Sequence, residues 1–142
     1  MATFSERLFE LMLEKEIKSH ELASIIGVST NTVNDWKRGK FHMNLRNAIK
    51  LADFFECSID YLVGRSEDYS YFAPTFYPLF YSHLLAVLKE YGYTTYRIRL
   101  DGILGGGHFG SWKKGCDPLI ATLIPLADYL GVTLDYLVGR DR

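Results

Sequence analysis

The amino-acid sequence predicts an all-α protein made of two similar five-helix domains in tandem. Three observations support this prediction: apolar residues recur at helical spacing, no segment of the first half has the pattern of a strand, and the second half repeats the first. Of the 142 residues, 48% are hydrophobic. A chain of this composition can bury a core, which excludes disorder as its overall state.

The internal repeat is clear in two pairs of segments. LADFFECSIDYLVGR at 51–65 returns as LADYLGVTLDYLVGR at 126–140, and WKRGK at 36–40 returns as WKKGC at 112–116. The offset differs by one residue between the two pairs, so the second copy has lost one position. A repeat of this length is typical of tandem domains rather than of a solenoid array.

The domain boundaries follow from the repeat. We expect a first domain over 1–66 and a second over 79–142, joined by a linker at 67–78. The linker is acidic and then rich in aromatic residues, and its prolines Pro74 and Pro78 disfavour helix. Its aromatic side chains are too many for a simple solvated spacer, so we expect them to pack against other residues.

The first domain carries start and stop signals for five helices. Thr3 and Glu6 predict a capping box before a first helix whose apolar spacing comes from Leu8, Phe9, Met12 and Leu13. The third helix is expected over 30–37 and the fourth over 45–54. Serine caps and glycine stops are predicted at Ser19, Ser29, Ser58, Gly27 and Gly39.

The segment ELASIIGVSTNTVNDW at 21–36 reads as helix, glycine-containing turn, helix. This segment and its surroundings resemble the lambda-repressor-like, Xre-type helix-turn-helix regulators. The resemblance implies a compact five-helix domain that binds operator DNA, usually as a dimer, with the second helix of the motif in the major groove. The resembling residues are Glu21–Ala23, Gly27–Ser29, Val33, Trp36–Gly39, Leu51–Asp53 and Ser58–Arg65.

The helix 30–37 exposes amide, hydroxyl and carboxylate side chains. An asparagine amide can bond N6 and N7 of adenine together, and hydroxyls also suit base edges. The resemblance implies that Thr30, Asn31 and Asp35 face bases; the alternative is a solvated polar face. The predicted base-reading residues are Thr30, Asn31, Thr32, Asn34 and Asp35.

Basic side chains follow this helix directly, and phosphate neutralisation dominates the affinity of proteins for DNA. The start of the second helix adds backbone amides, which suit phosphate as well. The alternatives are a solubility patch and a histidine that is merely solvated. The predicted phosphate-binding residues are Ser19, His20, Lys37, Arg38, Lys40 and Arg46.

The second copy departs from the pattern in its middle. Arg99 stands at the position of Ala23, and Ile103 at that of Gly27. The expected recognition helix is GGGHFGSW at 105–112, where each glycine costs about 1 kcal/mol relative to alanine. We therefore expect the fold to persist with a weak or irregular helix. The candidate DNA contacts there are His108, Ser111, Lys113 and Lys114.

No catalytic constellation is present, so we expect a protein that is not an enzyme. The glycine-rich run lacks the Gly-Lys-Ser/Thr ending of a nucleotide loop. Cys57 and Cys116 lack metal-ligand spacing and are expected to be free thiols in a reducing cytoplasm. The N-terminus has no long apolar run, which predicts neither a signal peptide nor a membrane span. No cofactor, metal or small-molecule ligand is expected.

Two functions stay open on the sequence. The first is a cytoplasmic, sequence-specific transcriptional regulator of a bacterium or phage. We expect it to act as a repressor and to bind double-stranded DNA as a homodimer. The second is a protein-interaction or antirepressor-like assembly module that uses the helix-turn-helix fold as a scaffold. The two combine if the first copy binds DNA and the second dimerises, which is the interpretation we prefer.

Overall fold

A computed structural model describes residues 2–68, 78–105 and 107–141, and no strand occurs within these ranges. The chain divides into two compact units, Met1–Tyr71 and Phe72–Arg142, called unit one and unit two below. Each unit has its own buried apolar core. Most of the predicted linker, including the aromatic side chains that we expected to pack, lies outside the described residues.

Unit one has five helices among its described residues, close to the predicted positions. Ser29 and Ser58 cap helices through their side chains, as predicted, by accepting from the backbone N–H of Thr32 and Tyr61. The Thr3 hydroxyl likewise accepts from the Glu6 N–H at 3.2 Å. The helices are α1 (Phe4–Lys15), α2 (Ser19–Ile26), α3 (Thr30–Lys37), α4 (Leu45–Phe55) and α5 (Ile59–Leu62).

Two local predictions in unit one are wrong. Ser19 is the first residue of α2 rather than its cap; Lys18 holds the cap position, and its N–H donates to the Glu21 carboxylate at 3.1 Å. Phe9 and Leu13 belong to the apolar spacing of α1 but are 54% and 62% exposed. The inner face of α1 is instead supplied by Leu8, Leu11 and Met12, because a helix buries only the stripe that its neighbours cover.

Unit two has helices of the same order and of similar length. Its α9 has 11 residues, as α4 has, whereas α7 and α8 have six each against eight in α2 and α3. The helices are α6 (Phe80–Glu90), α7 (Thr95–Leu100), α8 (His108–Lys113), α9 (Ile120–Leu130) and α10 (Leu134–Val138).

Both tryptophans are core residues, as expected from their place on apolar helix faces. Trp36 is 1% exposed and meets the edge of Phe4 at a centroid distance of 6.3 Å. Trp112 is 5% exposed and meets Phe80 in the same edge-on manner at 5.3 Å. Each contact ties the first helix of its unit to the third, which fixes the position of that third helix.

Candidate nucleic-acid interface

The turn between α2 and α3 is formed by Gly27. Its backbone has φ +87°, a left-handed conformation that favours glycine, and its N–H donates to the Ala23 carbonyl at 2.8 Å. Ala23 itself is buried at 2% exposure, so the two helices approach closely there. The side chains of Val33 and Trp36 point from α3 into the core, and the orientation that this gives the helix decides which side of α3 faces solvent.

The side of α3 opposite Val33 and Trp36 is a polar ridge. Asn31, Asn34, Asp35 and Arg38 follow one another at spacings of three, one and three residues, which places them on one helix face. Asn31 is exposed, while Asn34 and Asp35 are half-buried. We call the three of these residues that lie within the helix, Asn31, Asn34 and Asp35, the α3 outer face.

The two threonines of α3 lie beside that face. Thr30 is exposed at the first position of the helix. The Thr32 hydroxyl is 2.9 Å from the Ser29 hydroxyl, so this side chain turns back to the cap. Of the five predicted base-reading residues, the asparagines and Asp35 share the outer face, and the threonines flank it.

Asp35 holds two of the predicted phosphate-binding cations. Its carboxylate lies 3.3 Å from Arg38 and 3.8 Å from Lys40, and both cations are about two-thirds exposed, at 68% and 65%. Exposed ion pairs contribute only about 0–1 kcal/mol. Arg38 and Lys40 can therefore leave Asp35 for a phosphate at small cost.

Lys37 and Ser19 are brought together from different helices. The Lys37 ammonium donates to the Ser19 hydroxyl at 3.1 Å, and the Ser5 hydroxyl donates to the Lys37 carbonyl at 2.6 Å. Among the described residues, no carboxylate pairs with Lys37. This contact places a positive charge where the end of α3 meets the start of α2, next to the exposed His20.

The remaining predicted phosphate contact, Arg46, is exposed at the second position of α4. Sequence reasoning missed two further contacts at the motif. Lys50 donates to the Ile26 carbonyl at 3.2 Å and so satisfies the last turn of α2. The Ser5 contact was missed too, since no local pattern pairs residues 32 positions apart.

The corresponding helix of unit two is shorter than predicted. Helix α8 begins at His108 instead of residue 105; Gly107 precedes it, and its N-cap makes no side-chain hydrogen bond. Gly105 and Gly107 thus lie outside the helix, where their conformational freedom costs less than within it. Gly110 lies within α8, which Phe109 and Trp112 anchor in the core.

The candidate contacts of unit two differ in exposure. Ser111, Lys113 and Lys114 are exposed, whereas His108 is half-buried with its ring 5.7 Å from that of Trp112. The positive φ of the preceding turn is supplied by Gly102, at +72°, one residue before the Ile103 that stands at the position of Gly27. The turn chemistry of unit one is therefore shifted by one residue rather than lost.

Unit one has the features of the class of DNA-binding helix-turn-helix proteins: two helices, α2 and α3, joined by a glycine turn, a polar outer face on α3, and basic residues at the end of α3. Residues 7–68 match the family described as the Cro/C1-type HTH DNA-binding domain. This match lies within unit one, so unit one is similar to a Cro/C1-type helix-turn-helix domain.

Among solved structures, the chain is similar to a transcriptional regulator from Listeria innocua. The two are 29% identical over 71% of this chain and 87% of that chain, with a TM-score of 0.42. A comparison with curated proteins found no match.

Three other features bear on the chemistry of the chain. In the described residues, no helix is long and apolar enough to cross a membrane. The same residues contain no group of three or more His, Cys, Asp or Glu that could hold a metal ion. Cys57 is buried and Cys116 is exposed, and no disulfide joins the two.

Proposed function

We propose that the protein is a sequence-specific DNA-binding transcription regulator, acting as a repressor, that reads the major groove with α3. The observation that carries the proposal is the α3 outer face, which is polar, opposite a fully packed inner face, and flanked by Lys37, Arg38 and Lys40. The Cro/C1-type domain at 7–68 supports the same function.

The chemistry divides between the outer face and its flank. Asn31 and Asn34 offer amide groups that donate and accept at once, as an adenine edge requires. Lys37, Arg38 and Lys40 neutralise phosphates and fix the register without reading sequence. Repression then follows because a bound protein excludes other proteins from the operator.

We further propose that unit two is a degenerate copy of unit one and assembles the protein as a homodimer. The matched helix order, the repeated Phe–Trp contact and an Asp–Arg ion pair at the end of each unit support a common fold. A two-fold dimer would read half-sites about one helical turn of DNA apart.

The test is a selection from random oligonucleotides with the full chain at fixed, near-physiological salt. We expect one enriched motif arranged as two related half-sites. Asn31→Ala should reduce enrichment of the motif, and His108→Ala, its control on α8, should leave the motif unchanged. If His108→Ala alters the motif, unit two reads DNA as well.

One observation favours the alternative of an interaction module. Tyr96 and Leu100, at the second and sixth positions of α7, are 63% and 61% exposed, whereas α2 has His20 and Ser24 at those positions. An apolar face there suits a protein partner better than DNA. If the selection enriches no sequence while the protein is folded, this alternative replaces DNA reading.

A further inference from the structure

We propose that a cavity in unit one binds a small amphipathic carboxylate, a molecule with one anionic group and an apolar tail, and that this ligand releases the protein from DNA. The proposal has a binding half, that the cavity takes the carboxylate, and a regulatory half, that the bound carboxylate releases DNA. Only the regulatory half rests on the proposed function. The cavity has a volume of about 360 Å³, within the usual range for small-molecule sites. It is lined by Phe9, Met12, Leu13, Ile17, Lys18, Ser19 and Lys37.

Four of the seven lining residues of the cavity are apolar, and we call these four the apolar wall. Met12 is buried and packed, whereas Phe9 and Leu13 are more than half exposed although they share a helix with it. Ile17, two residues before α2, completes the wall. Covering this surface with a hydrocarbon tail is favourable by about 25 cal/mol per Å² removed from water, which supplies a driving force independent of charge.

The remaining lining residues are polar. Lys18 and Lys37 are two of them, and within the described ranges neither ammonium has a carboxylate partner. The Ser19 hydroxyl, which accepts from Lys37 at 3.1 Å, adds a third polar group. Two lysines and a hydroxyl beside an apolar wall complement a single carboxylate at the end of a tail.

The cavity shares residues with the DNA-binding surface. Ser19 and Lys37 are both proposed phosphate contacts, and both line the cavity. A carboxylate paired with Lys37 neutralises the charge that would otherwise displace counterions from DNA. Ligand and DNA therefore compete for one ammonium, and by linkage each lowers the affinity for the other by the same factor.

The binding half is tested on the full chain without DNA, with sodium octanoate as the probe. Calorimetric titration and amide NMR shifts should report saturable binding, with shifts centred on α1 and the start of α2. Octanol, which lacks the charge-assisted hydrogen bond, and acetate, which lacks the tail that covers apolar surface, should each bind at least about tenfold more weakly than octanoate.

Variants locate the site. Lys37→Gln and Leu13→Gln should each weaken octanoate binding about tenfold, because one removes the charge and the other the apolar wall. Lys113→Gln, the matched change at the end of α8, should leave the affinity unaltered. Equal binding of octanol and octanoate, or equal loss in all three variants, overturns the cavity as a carboxylate site.

The regulatory half is tested by adding octanoate to the protein bound to its selected DNA. Octanoate should weaken DNA binding by the same factor by which DNA weakens octanoate binding, and acetate at equal ionic strength should not. Octanoate that binds the cavity without changing DNA affinity overturns the regulation. Octanoate binding by a chain that has no DNA affinity overturns the proposed function and leaves the carboxylate site standing.

Discussion

The helix pair α2–α3 of unit one and the pair α7–α8 of unit two show that core packing can be kept while the exposed surface changes. Both pairs bury a tryptophan against the first helix of their unit. Yet α3 carries two asparagine amides on its outer face, whereas α8 is two residues shorter and starts after glycine. Core contacts can repeat while the outer face changes, because buried residues fix packing and exposed residues are free to vary.

The ends of the two units show the opposite behaviour, since they are nearly alike. Asp60 pairs with Arg65, and Asp135 pairs with Arg140, in both cases with a buried carboxylate. Between the partners, Gly64 and Gly139 have φ of +83° and +89°. In both units, therefore, an Asp–Arg ion pair across a glycine-containing turn stabilises the end of the last helix.

The largest expected effect concerns these ion pairs. Removing one partner of a buried pair costs about 3–5 kcal/mol, because the other charge is left buried. Arg140 is only 3% exposed and Arg65 is 21% exposed, so Asp135→Ala should cost more than Asp60→Ala. Amide hydrogen exchange on the full chain should show protection lost in α9 and α10 for the first variant, and in α4 and α5 for the second. Equal losses in both units from either variant would contradict the separate cores.

The next effect concerns sequence reading. Asn31→Ala should weaken binding to the selected motif by about 1–3 kcal/mol and leave binding to unrelated DNA nearly unchanged, as loss of a bidentate base contact does. Fluorescence anisotropy with both DNAs measures the difference. An equal loss on both would show that Asn31 is not a base-reading residue.

A smaller, sequence-independent effect is expected for the basic cluster. Lys37→Ala should weaken binding to every DNA and reduce the slope of log affinity against log salt by about 0.9, the contribution of one phosphate. The matched change in unit two, Lys113→Ala, should leave the slope unaltered if α8 stays off the DNA. The same reduction from Lys113→Ala would place unit two on the phosphate backbone.

The smallest expected effect is a loss of stability at alkaline pH, and it is confined to unit two. The Tyr129 hydroxyl donates to the Asp101 carboxylate, and this bond is the main reason that the pKa of Tyr129 is raised to about 12. Since the folded-state pKa lies above the ordinary value of 10.0, the stabilisation is complete below pH 10 and is lost as pH rises toward 12. Unit one has Phe54 at the matching position of α4.

Ultraviolet titration of the phenolates measures this difference. Tyr129→Phe should remove one group that ionises near pH 12, and hydrogen exchange should show unit two loosening before unit one as alkali is added. Loss of a group that ionises near pH 10 instead would disprove the Tyr129–Asp101 bond.

Local chemistry explains which parts of the fold were predictable. Ser29 and Ser58 lie where helices begin, and Gly27 where one ends, because caps and left-handed turns depend on a few neighbouring residues. The start of α8 was misjudged because alignment to unit one carried a helix into the glycines. The apolar spacing of α1 was equally ambiguous. Phe9 and Leu13 fit an apolar helix face, but their spacing does not determine whether another element covers that face.

The sequence by itself determined the all-α class, the helix-turn-helix segment and the polar character of α3. These follow from side-chain periodicity and capping, which act over a few residues. Only the tertiary structure decided that Lys37 meets Ser19, that Asp35 holds Arg38 and Lys40, and that Phe9 and Leu13 border a cavity. The physical reason is that the packing of Trp36 against α1 sets how α3 is rotated, and this rotation arises from contacts distant in sequence.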